Sequence, residues 1–196
     1  MKSKDWLNRQ KNDFYVKKAR KQGYLSRAAY KLIEIEKKFN ILKQSVNLLE
    51  FGAAPGGWSQ VALEINPKIQ ITAIDLLELK INHPQITFFK EDFLQFNFNK
   101  IKKNFDLILS DIAPNTTGHK STDHLRLSSM LFDMIETLDQ VMIQGGVFVT
   151  KIWKGSEEIE IINILKKKFD KVSYFKPDSS RKDSVEIFII AKKFKS

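Results

Sequence analysis

The sequence has no cysteine among its 196 residues. That excludes disulfides, thiolate nucleophiles, zinc fingers and iron–sulfur clusters together. Histidine occurs only three times. His119 and His124 are five residues apart, which puts them on different helical faces, and no carboxylate pair completes a zinc site. They are expected at a loop or helix start, and no metal is expected. Ser128 and Ser129 lack His/Asp partners, so no hydrolase triad is expected either. No apolar run approaches the roughly 18 residues of a membrane span, and no signal-peptide core follows Met1. A protein that stays off membranes is the expectation. Glycine (8) and proline (5) are also scarce, so any clustering of them is informative.

The hydrophobic share, 42%, is ordinary for a globular protein and too high for a disordered one. At this length one domain, residues 1–196, is expected. The charge of +10 is unevenly placed. Residues 1–43 carry thirteen Lys/Arg against four acids, a net +9, while the remaining 153 are almost balanced. A near-neutral body with a basic N-terminal segment points to a polyanion partner, against the plainer reading of a solvated lysine-rich surface.

Residues 1–25 are polar and basic, with helix expected around Lys17–Lys21. Trp6, Phe14 and Tyr15 are expected to anchor this segment more than to stack on bases. Ser26 is expected to N-cap a helix whose apolar positions Ala28, Leu32, Ile35 and Phe39 recur at three- and four-residue spacing. Lys31 lies off the centre of that stripe. Strands are then expected at Val46–Phe51, Ile69–Asp75, Ile86–Phe89, Phe105–Ser110, Val147–Ile152, Val172–Phe175 and Val185–Ala191. Helices are expected at Trp58–Ile65, at Ser121–Ile143 with a stop at Gly145–Gly146, and at Glu157–Phe169. The last two strands lack a helix-length connection, so they form an antiparallel hairpin. The alternation predicts an α/β fold: a doubly wound, mostly parallel seven-stranded sheet covered by helices on both faces.

Four of the thirteen Gly/Pro residues fall within six positions, Gly52, Pro55, Gly56 and Gly57. They lie in Phe51-Gly52-Ala53-Ala54-Pro55-Gly56-Gly57-Trp58, after the first strand and before a helix. Small residues there let a ligand approach the backbone, and the helix start offers free N–H groups. The spacing is neither Gly-x-Gly-x-x-Gly nor a phosphate loop. Asp75, ending the second strand, can accept hydrogen bonds from ribose hydroxyls. Asp92, after the third, can meet an adenine amino group. A nucleoside ligand without an obligatory pyrophosphate fits, S-adenosylmethionine being the natural candidate and a plain structural turn the alternative.

The segment Gly52-Ala53-Ala54-Pro55-Gly56-Gly57-Trp58-Ser59-Gln60 closely resembles the cofactor loop of FtsJ-like (RrmJ-type) ribosomal RNA 2′-O-ribose methyltransferases. The resemblance runs from about Phe14 to Lys192. It includes Ser26-Arg27-Ala28-Ala29-Tyr30-Lys31-Leu32, Asp75-Leu76-Leu77, Glu91-Asp92-Phe93, Ser110-Asp111-Ile112-Ala113-Pro114-Asn115 and Thr150-Lys151-Ile152-Trp153. It ends with Lys176-Pro177-Asp178-Ser179-Ser180-Arg181 leading to Ser184-Val185-Glu186. Their order and spacing together are highly specific.

The resemblance implies a Rossmann-like methyltransferase fold with an antiparallel last strand, and a catalytic set of Lys31, Asp111, Lys151 and Glu186. Cofactor contacts are implied at Gly52, Ala53, Pro55, Gly56, Gly57, Trp58, Asp75, Leu76, Asp92 and Asp111, with Trp58 beside S-adenosylmethionine. Methyl transfer to a ribose hydroxyl is chiefly a positioning problem, helped by removing the hydroxyl proton. Lys151 is expected to orient and deprotonate that hydroxyl. Burial and a second ammonium at Lys31 favour its neutral form; if it stays charged, it stabilises the alkoxide instead. Asp111 holds Lys151, and Glu186 positions Lys31 or the ribose.

The expected activity is methylation of a uridine in large-subunit ribosomal RNA. The alternatives are a transfer-RNA enzyme of the same family and a non-catalytic RNA-binding assembly factor. RNA or the ribosomal subunit is the expected partner. Residues 1–25 are expected to contact RNA and residues 26–196 to form the catalytic core of a monomer. The cytoplasm is the expected compartment, and the mitochondrion or another ribosome-containing organelle the alternative.

Overall fold

The central strands are apolar on both faces, which requires helices above and below them. The computed structural model has that arrangement and describes residues 12–101, 104–114, 117–155, 157–181 and 183–195. Two helices, α1 (Phe14–Gln22) and α2 (Ala29–Phe39), precede strand β1 (Asn47–Phe51). There follow α3 (Gly57–Ile65), β2 (Gln70–Ile74), β3 (Ile86–Phe89), β4 (Phe105–Ser110) and the long α4 (Lys120–Val141). Next come β5 (Met142–Trp153), α5 (Glu158–Lys168), β6 (Phe169–Phe175) and β7 (Glu186–Phe194). Trp6, the basic residues before Asn12, and Asn115 lie outside the described residues.

The seven strands form one sheet in the order β3-β2-β1-β4-β5-β7-β6. β3, β2, β1, β4 and β5 run parallel, and β7 is antiparallel to both its neighbours. This is the expected doubly wound, Rossmann-like sheet. The strand order reverses between β1 and β4, so a crevice opens beyond their C-terminal ends, with Phe51 in register with Ser110.

Period two along each strand separates two cores. Leu49, Phe51, Ile108, Phe148, Ile152 and Ile189 face α4 and α5. Leu48, Leu107, Leu109, Val149, Phe188 and Ile190 face α2 and α3. Continuing the alternation puts Asp111 beyond Leu109, Lys151 beyond Val149 and Glu186 beyond Phe188, all on the α2 side.

Two helix ends differ from expectation. Ser26 does not cap α2: Ala28 holds the N-cap position, with no side-chain hydrogen bond. Ser26 begins a preceding turn, its carbonyl accepting the Ala29 N–H, and its hydroxyl is packed where a Cβ on Gly57 would fall. Close packing of the α2 entry on the glycine loop overrides local capping preference. Likewise, α4 stops at Val141 instead of reaching Gly145–Gly146. Met142, buried in the core, already pairs with Phe105, and the ladder resumes at Leu107–Val147 after an irregular stretch that includes Gly145 at φ +81°. The glycines permit that irregularity; they do not end the helix.

Candidate active site

The glycine loop is shaped by backbone positions that side chains rarely adopt. Gly52 has φ +72° and Gly56 φ +114°. A Cβ on Gly52 would stand 2.6 Å from the Ile112 side chain, in the segment after β4. The Asp75 carboxylate ties the loop to the end of β2: one oxygen accepts the Ala54 N–H at 2.8 Å, the other the Leu77 N–H at 2.8 Å. The Lys80 N–H donates to the Pro55 carbonyl, folding the residues after β2 against the loop. Leu76 and Leu77 remain largely exposed there. Asp92 accepts the Leu94 N–H.

Beside this crevice four charged side chains meet on the α2 face. Lys31 Nζ lies 3.2 Å from Asp111 Oδ2 and 2.9 Å from Glu186 Oε1. Lys151 Nζ donates to Asp111 Oδ1 at 3.0 Å and to the Asp111 backbone carbonyl at 2.8 Å. Its distance to Glu186 Oε2 is 3.9 Å. All four predicted members of the set are therefore brought together, from α2 and the ends of β4, β5 and β7. Two ammonium groups alternate with two carboxylates, an arrangement that lets partly buried charges avoid their full desolvation cost.

Burial works against ionised Lys31, but the attraction and hydrogen bonds of Asp111 and Glu186 outweigh it, and its ammonium is held above the ordinary lysine range. Burial likewise pushes Asp111 up, while Lys151 and then Lys31 pull harder and keep its carboxyl below the usual carboxylate range. Lys31 and Asp111 are thus firmly charged in the folded protein. Just behind, Glu50 is 2% exposed on β1, with Ser59 Oγ donating to its Oε2 at 2.5 Å. Burial pushes its carboxyl up to about 8; the Ser59 hydrogen bond opposes this, and the negative charges of Asp75 and Asp111 add to it.

Trp58 follows the glycine loop in the first turn of α3. Its ring is 3% exposed, donates Nε1–H to the Ala28 carbonyl and packs 5.8 Å from the Phe188 ring. It joins α3 to α2 and β7, and leaves only its backbone toward the loop. In α1, Phe14 is exposed with its ring edge on Tyr15, which in turn packs on Tyr30. His124 lies 2.9 Å from Glu157. Among the described residues no group of three or more potential ligands converges on a metal site.

Four residues near the charged set were not singled out from the sequence: Glu34, Arg27, Ser180 and Glu50. Glu34 is one turn along α2 from Lys31, and Arg27 one turn before it. That shared stripe is a usable sequence signal. Ser180 has no such signal, because its contact depends on how the segment before β7 folds back.

A sheet with β7 inserted antiparallel between β5 and β6, and a glycine-rich loop at its switch point, defines a Rossmann-like methyltransferase. Residues 24–194 match the FtsJ-like methyltransferase family. The chain is 43% identical to a ribosomal RNA large subunit methyltransferase E of Rickettsia bellii, over 96% of its own length and 88% of the relative's. It is 44% identical to the protein of that name from Novosphingobium aromaticivorans, over 97% and 87%. A crystal structure described as a ribosomal RNA methyltransferase from Plasmodium falciparum superposes with a TM-score of 0.76 at 31% identity, covering 87% of this chain and 98% of that one. The protein belongs to the FtsJ-like methyltransferase family.

Proposed function

We propose that the protein transfers a methyl group from S-adenosylmethionine to the 2′-hydroxyl of a uridine ribose in large-subunit ribosomal RNA. The observation that carries this reading is the Lys31–Asp111–Lys151–Glu186 cluster beside the glycine loop. The names of the relatives support the choice of RNA.

The crevice fits the methyl donor. Gly52 lets the loop pack directly on Ile112, where a Cβ would collide, and Asp75 keeps free lone pairs on two oxygens already anchored by backbone N–H groups. Exposed Leu76 offers an apolar face to an adenine, and Asp92 an acceptor for its amino group. Ala53, Pro55, Gly56 and Gly57 supply backbone alongside. When bound, the donor presents an electrophilic methyl on a sulfonium, whose positive charge suits a crevice flanked by Asp75, Asp92 and Asp111.

The chain's own residues do the rest. Asp111 fixes both lysines by charge-assisted hydrogen bonds. Lys31, bracketed by two carboxylates, is the permanent cation that stabilises negative charge at the ribose oxygen. Lys151 has one close carboxylate and a neutral carbonyl; after giving up its own proton to solvent, its Nζ receives the 2′-hydroxyl proton. Glu186 sets the position of Lys31. Lys17, Arg20 and Lys21, exposed on α1, grip the RNA backbone as the described part of the arm.

The test is methylation of defined RNAs by the purified protein, with the product mapped by nucleotide. Methyl transfer to large-subunit ribosomal RNA or its particles, lost by at least about 100-fold in Lys151→Ala with S-adenosylmethionine affinity retained, is the expected result. Product on transfer RNA alone refutes the substrate. Full activity in Lys151→Ala refutes the role of the cluster.

A further inference from the structure

The segment before β7 is held by α2 rather than by strand pairing. Glu34 accepts the backbone N–H of Asp178 at 2.5 Å and of Ser179 at 3.1 Å. Arg27 donates to the Ser179 carbonyl, and Asp13, the N-cap of α1, accepts from both Arg27 and Arg181. Ser179 and Ser180 are consequently buried. From that fixed backbone, Ser180 Oγ donates to Glu186 Oε1 at 3.0 Å. The same oxygen receives Lys31 Nζ at 2.9 Å, while Oε2 stays 3.9 Å from Lys151.

We propose that Ser180 is a positioning residue of the reaction centre, holding the Glu186 carboxylate on Lys31 and away from Lys151. The proposal rests on the methyl-transfer reading above and adds to it a reason why the two lysines differ.

A glutamate carboxylate turns about a broad terminal torsion, so its donors decide where its oxygens lie. Glu186 has two ammonium groups within reach, and Arg27 adds a longer-range positive charge on the α2 side. Two similar cations alone would draw its oxygens to both. A third donor on Oε1 breaks that symmetry. Lys31 then shares Oε1 with Ser180 and keeps Asp111 as well. Lys151 keeps Asp111, with Lys31 across the same carboxylate, but no close second anion. Loss of the Lys151 proton, which precedes its service as a base, is easier without that anion, since an added carboxylate favours the ammonium. Ser180 touches neither reactant in this reading; it acts through Glu186.

Ser180→Ala frees Oε1, and Oε2 closes on Lys151. The expected single-turnover rate at saturating RNA and S-adenosylmethionine falls about tenfold, the scale of one hydrogen bond to a charged group. The KM for RNA stays within about twofold, because no phosphate contact is touched. The pH of half-maximal rate moves upward. Ser180→Thr, which keeps the hydroxyl, restores rate and profile, whereas Ser180→Val, of the same shape, does not. In a Glu186→Gln background Ser180→Ala has no further effect.

An unchanged rate and pH profile in Ser180→Ala, equal activity of the Thr and Val variants, or an additive loss with Glu186→Gln each overturns the proposal. A carbon-13 titration of the Glu186 carboxyl, read without any RNA, separates the two levels of inference. The titration shifts in Ser180→Ala if the contact positions Glu186, even should the wild type methylate no RNA. An unmoved titration overturns the positioning role while leaving the proposed activity standing.

Discussion

Replacing Glu50 by Gln should raise stability at alkaline pH and change little in acid. The carboxyl sits 2% exposed near the end of β1, just before the glycine loop, and Ser59 donates a hydrogen bond to it. Burial lifts it from 4.5 to about 8. The sign follows from proton binding. A group whose folded-state value lies above its unfolded value favours the fold while protonated, and that stability is lost as pH rises between the two. Each pH unit crossed costs about 1.4 kcal/mol, so the wild type loses about 3 to 4 kcal/mol from about pH 5 to about pH 9 on this group alone. Gln keeps the volume and can accept from Ser59 without ever ionising. Urea denaturation at both pH values, with equal m-values, measures the difference in midpoint. The stability gap between Glu50→Gln and wild type should widen by that amount toward high pH. Parallel pH profiles would refute the reasoning, because they would mean the buried carboxyl is already ionised at no cost.

Gly52→Ala forces a Cβ to within 2.6 Å of Ile112 at a φ of +72°; S-adenosylmethionine affinity by calorimetry should drop at least about tenfold, while the thermal midpoint falls by a few degrees. Replacing Lys17, Arg20 and Lys21 of α1 by Gln should weaken RNA binding and flatten its dependence on log salt by about 0.7 per lost single-strand phosphate contact. Cofactor affinity should be unchanged; its loss would make α1 a structural part of the cofactor site.

Strand positions and layer architecture are legible in the sequence because the strands alternate with helix-length segments and are apolar on both faces. That same two-faced apolarity hides which side of the sheet a given residue takes. The shared face of Asp111, Lys151 and Glu186 therefore emerges only once Leu109, Val149 and Phe188 are seen packed under α2. The charged set itself is legible through motif order. The Trp58 indole N–H finds the Ala28 carbonyl inside the core, a contact between separate helices that leaves no periodic signal in the sequence. Ser26 and Gly145–Gly146 carry correct local preferences for a cap and a stop. Docking of the α2 entry on Gly57, and of Met142 beside Phe105, decides those helix ends instead. Ser180 lies within a motif yet shows no role there, since a hydroxyl six residues from its partner leaves no periodic trace.

The charged set is assembled from distant parts of the chain: Lys31 meets Asp111 across 80 positions, and Arg27 meets the Ser179 carbonyl across 152. Contacts of such range cannot form until both halves of the sheet have joined, and their loop-closure cost places them late in folding. An incomplete chain emerging from the ribosome, still lacking β7, can pair β1 with β2 and β4 yet holds no Glu186. Completion of the cluster thereby reports that synthesis has passed the start of β7: a nascent fragment that ends before Glu186 holds three of the four groups.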